Sequence, residues 1–163
     1  QILAEAAGNP ILADEYSYSD VRKELAPVIK VMRNTIREAR RSVATLKSQV
    51  HRNQGQENWN SLAREIRLKA RELFQLRNEV KKVMDSTYGE TPFKVKQWAV
   101  GTFGKLATDI GSRMEKVGDV MLSAEKTKAT GATDTLVFLL EEVDDLFYQM
   151  NESIYNITNR QLY

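Results

Sequence analysis

Two runs of cationic side chains carry most of the chemistry this chain can offer. Arg33, Arg37 and Arg40 recur at steps of four and three, and Arg64, Arg67, Lys69 and Arg71 crowd a second stretch. Guanidinium and ammonium groups in such arrays bind carboxylates or phosphates and orient a partner. Reactive groups are scarce by comparison. The single histidine, His51, has Ser48 three residues before it, so the Glu-x-x-His pairs of a di-metal bundle are missing, and it reads as a solvated residue at a helix end. The chain has no cysteine, which removes thiolate and disulfide chemistry and leaves the redox compartment open. No nucleophile stands at a recognisable spacing from a base, and there is no Gly-rich phosphate loop. The expectation is a protein that is not an enzyme and holds no cofactor.

Glu141, Glu142, Asp144 and Asp145 cluster in the last third of the chain. Such a run can hold a cation weakly, but it also suits solvent and the positive end of a helix dipole, and no metal role is assigned to it. Asn151-Glu152-Ser153 and Asn156-Ile157-Thr158 match the glycosylation triplet yet fall on a helical pattern, where they read as chance matches.

Apolar periodicity shows what must position these groups. From Asn58 to Met84, Trp59, Leu62, Ile66, Leu73, Leu76, Val80 and Val83 step by threes and fours, with Ala70 bridging the one gap, and this is the period of one helix face. An earlier series, Val28, Met32, Ile36, Ala39, Val43, Leu46 and Val50, predicts a helix over about 20–51 that Ser19 can cap. Pro27 lies near its start and either detaches or kinks the first turn. Thr91-Pro92 opens a third helix, to about residue 126, through Ala99, Phe103, Leu106, Ile110, Met114, Val117, Met121 and Ala124. Its Gly101, Gly104, Gly111 and Gly118 each cost about 1 kcal/mol against alanine, so they are expected to permit close packing on a neighbour. Thr133-Asp134 opens a fourth, over about 134–159, through Leu136, Leu140, Val143, Phe147, Met150, Ile154 and Ile157. With the second helix at about 58–85 and short connections throughout, neighbours run antiparallel. The predicted fold is all-α: an up-down-up-down four-helix bundle over residues 19–163, preceded by an extended arm over 1–18 that could add apolar contact to a partner. Trp59, Phe74, Trp98, Phe103 and Phe147 fall at or near core positions, where packing explains them better than a cofactor box.

A chain of 163 residues with 42% hydrophobic and 28% charged residues fits one soluble domain, and no run nears the roughly 20 apolar residues of a membrane span. It opens on Gln1 rather than methionine, as removal of a targeting peptide or trimming would leave it. The net charge of +2 hides a gradient. Asp20 to Asp85 holds 16 Lys and Arg against 8 Asp and Glu, a balance of +8, whereas Ala129 to Tyr163 holds 1 against 6, a balance of −5. Such a dipolar chain steers encounters with charged partners. Nucleic acid fits poorly, because Glu38, Glu65, Glu72 and Glu79 are interleaved with the bases, several at ion-pair spacing. An acidic protein surface fits better, and an ion-paired solvated face with no partner fits the charge pattern equally well.

Trp59, Leu62 and the run Ile66-Arg67-Leu68-Lys69-Ala70 followed by Leu73 resemble the second-helix signature of the PsbQ family, the small extrinsic subunits on the lumenal face of photosystem II. In that family a tryptophan opens the second helix and a Leu-Arg-Leu-Arg-Ala-like run follows. The layout from Val21 to Met150 is similar, although the specific part is Trp59 to Leu73, and the short arm with Pro10 departs from the proline-rich segment of green-plant members toward a red-lineage algal type. The resemblance implies a non-catalytic subunit of the chloroplast thylakoid lumen, peripheral on the membrane, docked on subunits of photosystem II and helping retain calcium and chloride. Relatives in the chloroplast NADH dehydrogenase-like complex share the pattern, and an unrelated helical sensor or adaptor domain is the competing class. Arg33, Arg37, Arg40, Arg64, Arg67, Lys69 and Arg71 are the expected docking residues, and Trp59, Leu62, Ile66 and Leu73 the signature core.

Overall fold

The computed structural model describes residues 18–52, 59–85, 96–127 and 131–159. Residues 1–17 of the expected arm and the Thr91-Pro92 start signal lie outside them. Four helices make up the described chain: α1 (Tyr18–Arg52), α2 (Trp59–Asp85), α3 (residues 96–127) and α4 (Ala132–Asn159), with no strand among these residues. α1 starts before Ser19, which therefore stands inside the first turn, and it runs on through Pro27 as one element. A detached first turn is thus corrected, at the cost of the amide that proline cannot give to the carbonyl four residues back.

The helices pack in a ring, α1 on α2, α2 on α3, α3 on α4 and α4 on α1, around one apolar core. The predicted stripes face inward. Trp59, Leu62, Ile66 and Leu73 are buried, as are Met32, Ile36, Val43, Leu46, Met114, Val117, Val143 and Phe147. Two positions shift by one residue: Met84 is buried where Val83 is only partly so, and Ala107 is buried beside a half-buried Leu106. No helix among the described residues is long and apolar enough to cross a membrane.

α2 and α3 form the tightest pair and run antiparallel. Trp59 N–H donates to Glu125 Oε2 at 3.3 Å, Arg67 pairs with Asp119, and Arg77 Nη1 donates to Thr108 Oγ1 at 3.0 Å, so contacts fall along α3 as they rise along α2. Glycine makes this approach feasible at two points. A Cβ on Gly111 would lie 2.6 Å from Phe74 Cε1, and one on Gly118 would lie 2.8 Å from Arg67 Nε. The other two glycines differ from expectation. Gly101 has nothing within 4 Å of an added Cβ, and Gly104 serves its own helix.

That local role arises because α3 is not α-helical throughout. Trp98–Phe103 is a π-helical segment, closed by Gly104 N–H donating to Ala99 O, and a Cβ on Gly104 would stand 3.1 Å from that oxygen. The wider turn lets Trp98, Ala99 and Phe103 all reach the core. Trp98 and Phe103 stack tilted, with ring centroids 5.5 Å apart, and Trp98 Nε1 donates to Ser153 Oγ of α4. Ser153 thus has a packing role within the sequon match. In the other match, Thr158 Oγ1 donates to Ile154 O at 2.7 Å.

Candidate docking surface

The exposed arginines of the two cationic runs fall on two strips. On α1, Arg33, Arg37, Arg40 and Arg41 face solvent. Arg33 and Arg40 stand two heptads and one heptad before Lys47, whose Nζ donates to Asp144 Oδ2 of α4 at 2.8 Å. Residues a heptad apart share a helix face, so this strip runs along the α4 side of the outer surface of α1. On α2, Arg64 and Arg71 are exposed and one heptad apart. Among the described residues none of these six guanidiniums makes an ion pair, and Arg37 Nη1 donates only to Asn34 Oδ1 of its own helix at 3.0 Å.

Carboxylates separate the two strips. A groove of about 570 Å³ runs between α1 and α2, lined by Val31, Thr35 and Glu38 on one side and by Glu72, Glu79 and Lys82 on the other. The basic sides of the two helices are therefore not one continuous cationic face. Chemically, each strip can seat carboxylates through charge-assisted hydrogen bonds, and neither offers a group for bond-making chemistry.

Two expected docking residues are engaged inside the molecule. Arg67 is half-buried across Gly118, its Nη2 donates to Asp119 of α3, and its Nε is buried with no hydrogen-bond partner among the described residues. Lys69 has only 19% of its side chain exposed and donates to Glu72 at 3.4 Å. Periodicity places both outside the apolar stripe, and it carries no information on how near the next helix comes. Gly118 was the available signal for Arg67, since a glycine facing α2 invites a long side chain to lie over it.

The acidic cluster of α4 is divided too. Asp144 accepts from Lys47, and Glu142 lies 3.8 Å from Arg113 Nε of α3, whereas Glu141 and Asp145 are exposed. Among the described residues no three potential ligands converge as a metal site requires. A second cleft, of about 320 Å³, opens beside the π-helical segment between Arg77, Lys81, Val100, Lys105 and Asp109. Arg77 there is already held by Thr108 and by the Phe74 ring, 5.3 Å from its guanidinium carbon, and Lys81 by Asp85 at 3.0 Å. Ala99 and Val100 of the π-helical turn, which no sequence period reveals, line this cleft. No protein-family model, curated protein or solved structure matches the chain.

Proposed function

We propose that the chain is a non-catalytic docking subunit, a helical bundle that seats on an acidic protein surface through Arg33, Arg37, Arg40, Arg64 and Arg71. One observation carries this reading: those guanidiniums face solvent without an ion pair among the described residues, while Lys47, Arg67 and Lys69 are taken up by internal pairs. Two strips parted by Glu38, Glu72 and Glu79 suit acidic ridges on a protein better than an unbroken phosphate backbone, which those carboxylates would repel. Rim charges of this kind set on-rate, orientation and salt sensitivity.

The PsbQ-type run from Trp59 to Leu73 supplies the setting. In this reading the bundle docks on the lumenal face of photosystem II, peripheral to the thylakoid membrane, and helps retain calcium and chloride near a manganese cluster whose ligands belong to other subunits. Rebinding to salt-washed thylakoids tests it. The expected result is binding at low salt, release near ~1 M salt, where the screening length falls to about 3 Å, and comigration with photosystem II on native gels. Comigration with the NADH dehydrogenase-like complex would move the same docking role to that assembly. Failure to bind, or binding that ignores salt, overturns the reading.

A further inference from the structure

The cleft of about 320 Å³ between the π-helical segment of α3 and the C-terminal half of α2 includes none of the docking arginines in its lining. Its apolar part is small and well defined. Ala99 is buried beneath it and Val100 is 53% exposed at its edge. Gly104 leaves the adjoining wall without a side chain, where an added Cβ would stand 3.8 Å from Arg77 Cγ. At the roughly 30 Å³ a water occupies in the liquid, the space suits a ligand of about ten non-hydrogen atoms. π-helical segments recur at functional sites, so the setting merits a chemical reading.

Three cations reach the cleft with unequal freedom. Arg77 is held in place: Nη1 donates to Thr108 Oγ1 at 3.0 Å, Nε donates to Asn78 Oδ1 at 3.1 Å, and the Phe74 ring lies 5.3 Å from the guanidinium carbon. A guanidinium has five N–H donors, so two are used here and three remain. Because its side chain is already ordered, Arg77 can take an anion with little further loss of freedom. Lys105 is exposed and has no ion pair among the described residues. Lys81 pairs with Asp85 at 3.0 Å, but both side chains are more than half exposed, so the pair is weak and can give way to another carboxylate. Asp109, one turn along α3 from Lys105, is the one carboxylate of the described lining, and the balance there is +2.

We propose that this cleft is a binding site for a small amphipathic anion, a carboxylate on a short apolar body. The carboxylate meets the free donors of Arg77 and the Lys105 ammonium, and the apolar body lies on Ala99 and Val100. An apolar floor alone would accept a neutral molecule, and cations alone would accept any buffer ion. Together they select a ligand that carries both features. Asp109 opposes an anion in the same cleft, so its charge sets the affinity and removing it strengthens binding. The site stands apart from the docking reading, since Arg33, Arg37, Arg40, Arg64 and Arg71 take no part in it.

Titration of the full chain with octanoate at low salt, followed by amide NMR shifts, tests this. The expected dissociation constant is ~0.1 to 1 mM, as suits a ligand of this size, with shifts confined to residues 77–81 and 99–109. Octylamine, which keeps the tail and reverses the charge, and acetate and inorganic phosphate, which lack the tail, should each bind at least about tenfold more weakly. Lys105→Gln should weaken octanoate by about threefold and Asp109→Asn should tighten it by about threefold. Val100→Asp sets a carboxylate at the apolar floor and should weaken it by about tenfold or more. Circular dichroism of the Lys105 and Val100 variants should match wild type, since both side chains are exposed; if Val100→Asp unfolds, the opposite effects at Lys105 and Asp109 still decide the matter. No shifts up to ~10 mM octanoate, equal binding of octylamine or acetate, shifts spread as strongly over the α1 and α2 arginine strips, or an affinity indifferent to Asp109→Asn would each overturn the proposal. So would a response to phosphatidylglycerol vesicles alone, which would make the cleft a membrane contact.

Discussion

Replacing Gly111 by alanine measures how closely α2 and α3 are held. The new carbon would stand 2.6 Å from Cε1, 2.7 Å from Cζ and 3.2 Å from Cδ1 of Phe74, so the ring must swing by about 1 Å to regain ordinary carbon contact. In an isolated helix the substitution would stabilise by about 1 kcal/mol. Overpacking a filled interface costs about 1 to 3 kcal/mol, and drawing the ring out from under Arg77 removes about 0.5 to 1 kcal/mol more. The balance is a loss of about 0.5 to 3 kcal/mol, or roughly 1 to 12 °C in melting temperature for a chain of this size. Thermal and urea unfolding followed by circular dichroism would read it. Gly101→Ala is the control, since nothing lies within 4 Å of its added carbon, and it should be neutral or up to about 1 kcal/mol stabilising. In a Phe74→Ala background the obstruction is gone, so Gly111→Ala should become stabilising by about 1 kcal/mol, giving a coupling of roughly 1.5 to 4 kcal/mol. A Gly111→Ala protein at least as stable as wild type refutes the close contact.

Three further outcomes follow from the packing. Arg67→Glu sets a carboxylate beside Asp119 and strips the cover from Gly118, so it should cost about 1 to 2 kcal/mol, whereas Arg71→Glu should stay within about 0.5 kcal/mol of wild type; equal melts would erase the distinction between them. Trp98→Phe loses the hydrogen bond to Ser153 and should cost about 1 kcal/mol, and adding Ser153→Ala should then cost little more, which a double-mutant cycle checks. Leu73→Ala opens a cavity at the fully buried centre of α2 and should cost about 2 to 5 kcal/mol; a loss below about 1 kcal/mol would mean that Leu73 is not core.

Apolar spacing made the bundle legible because each helix must bury one stripe, and Met32 to Val50, Trp59 to Val80 and Leu136 to Ile157 step at the helical period with little interruption. The surface was legible only in part. Arg64 and Arg71 look the same in the sequence as Arg67, yet Arg67 differs because α3 presents Gly118 to it, and that is a fact about another helix. The acids of α4 likewise sort by neighbour: Asp144 and Glu142 face cations on α1 and α3, while Glu141 and Asp145 face none among the described residues. The π-helical turn left no trace because Trp98, Ala99 and Phe103 are apolar on either phasing. Glycine was the one residue type whose long-range meaning showed in advance, and even there only Gly111 and Gly118 carried it.

The uneven grip of the ring has a consequence for motion. α2 and α3 touch more extensively than any other pair, through glycine, the half-buried Arg67 and the hydrogen bonds of Trp59 with Glu125 and Arg77 with Thr108, whereas α1 has fewer contacts with α2 and α4. Amide protons at the centre of α2 and α3 should exchange with solvent only when the whole chain opens, and those of α1 at a smaller opening free energy. The helix that carries Arg33, Arg37, Arg40 and Arg41 is thus expected to open before the α2–α3 pair, which would let its line of guanidiniums adjust to the surface it meets while that pair stays closed.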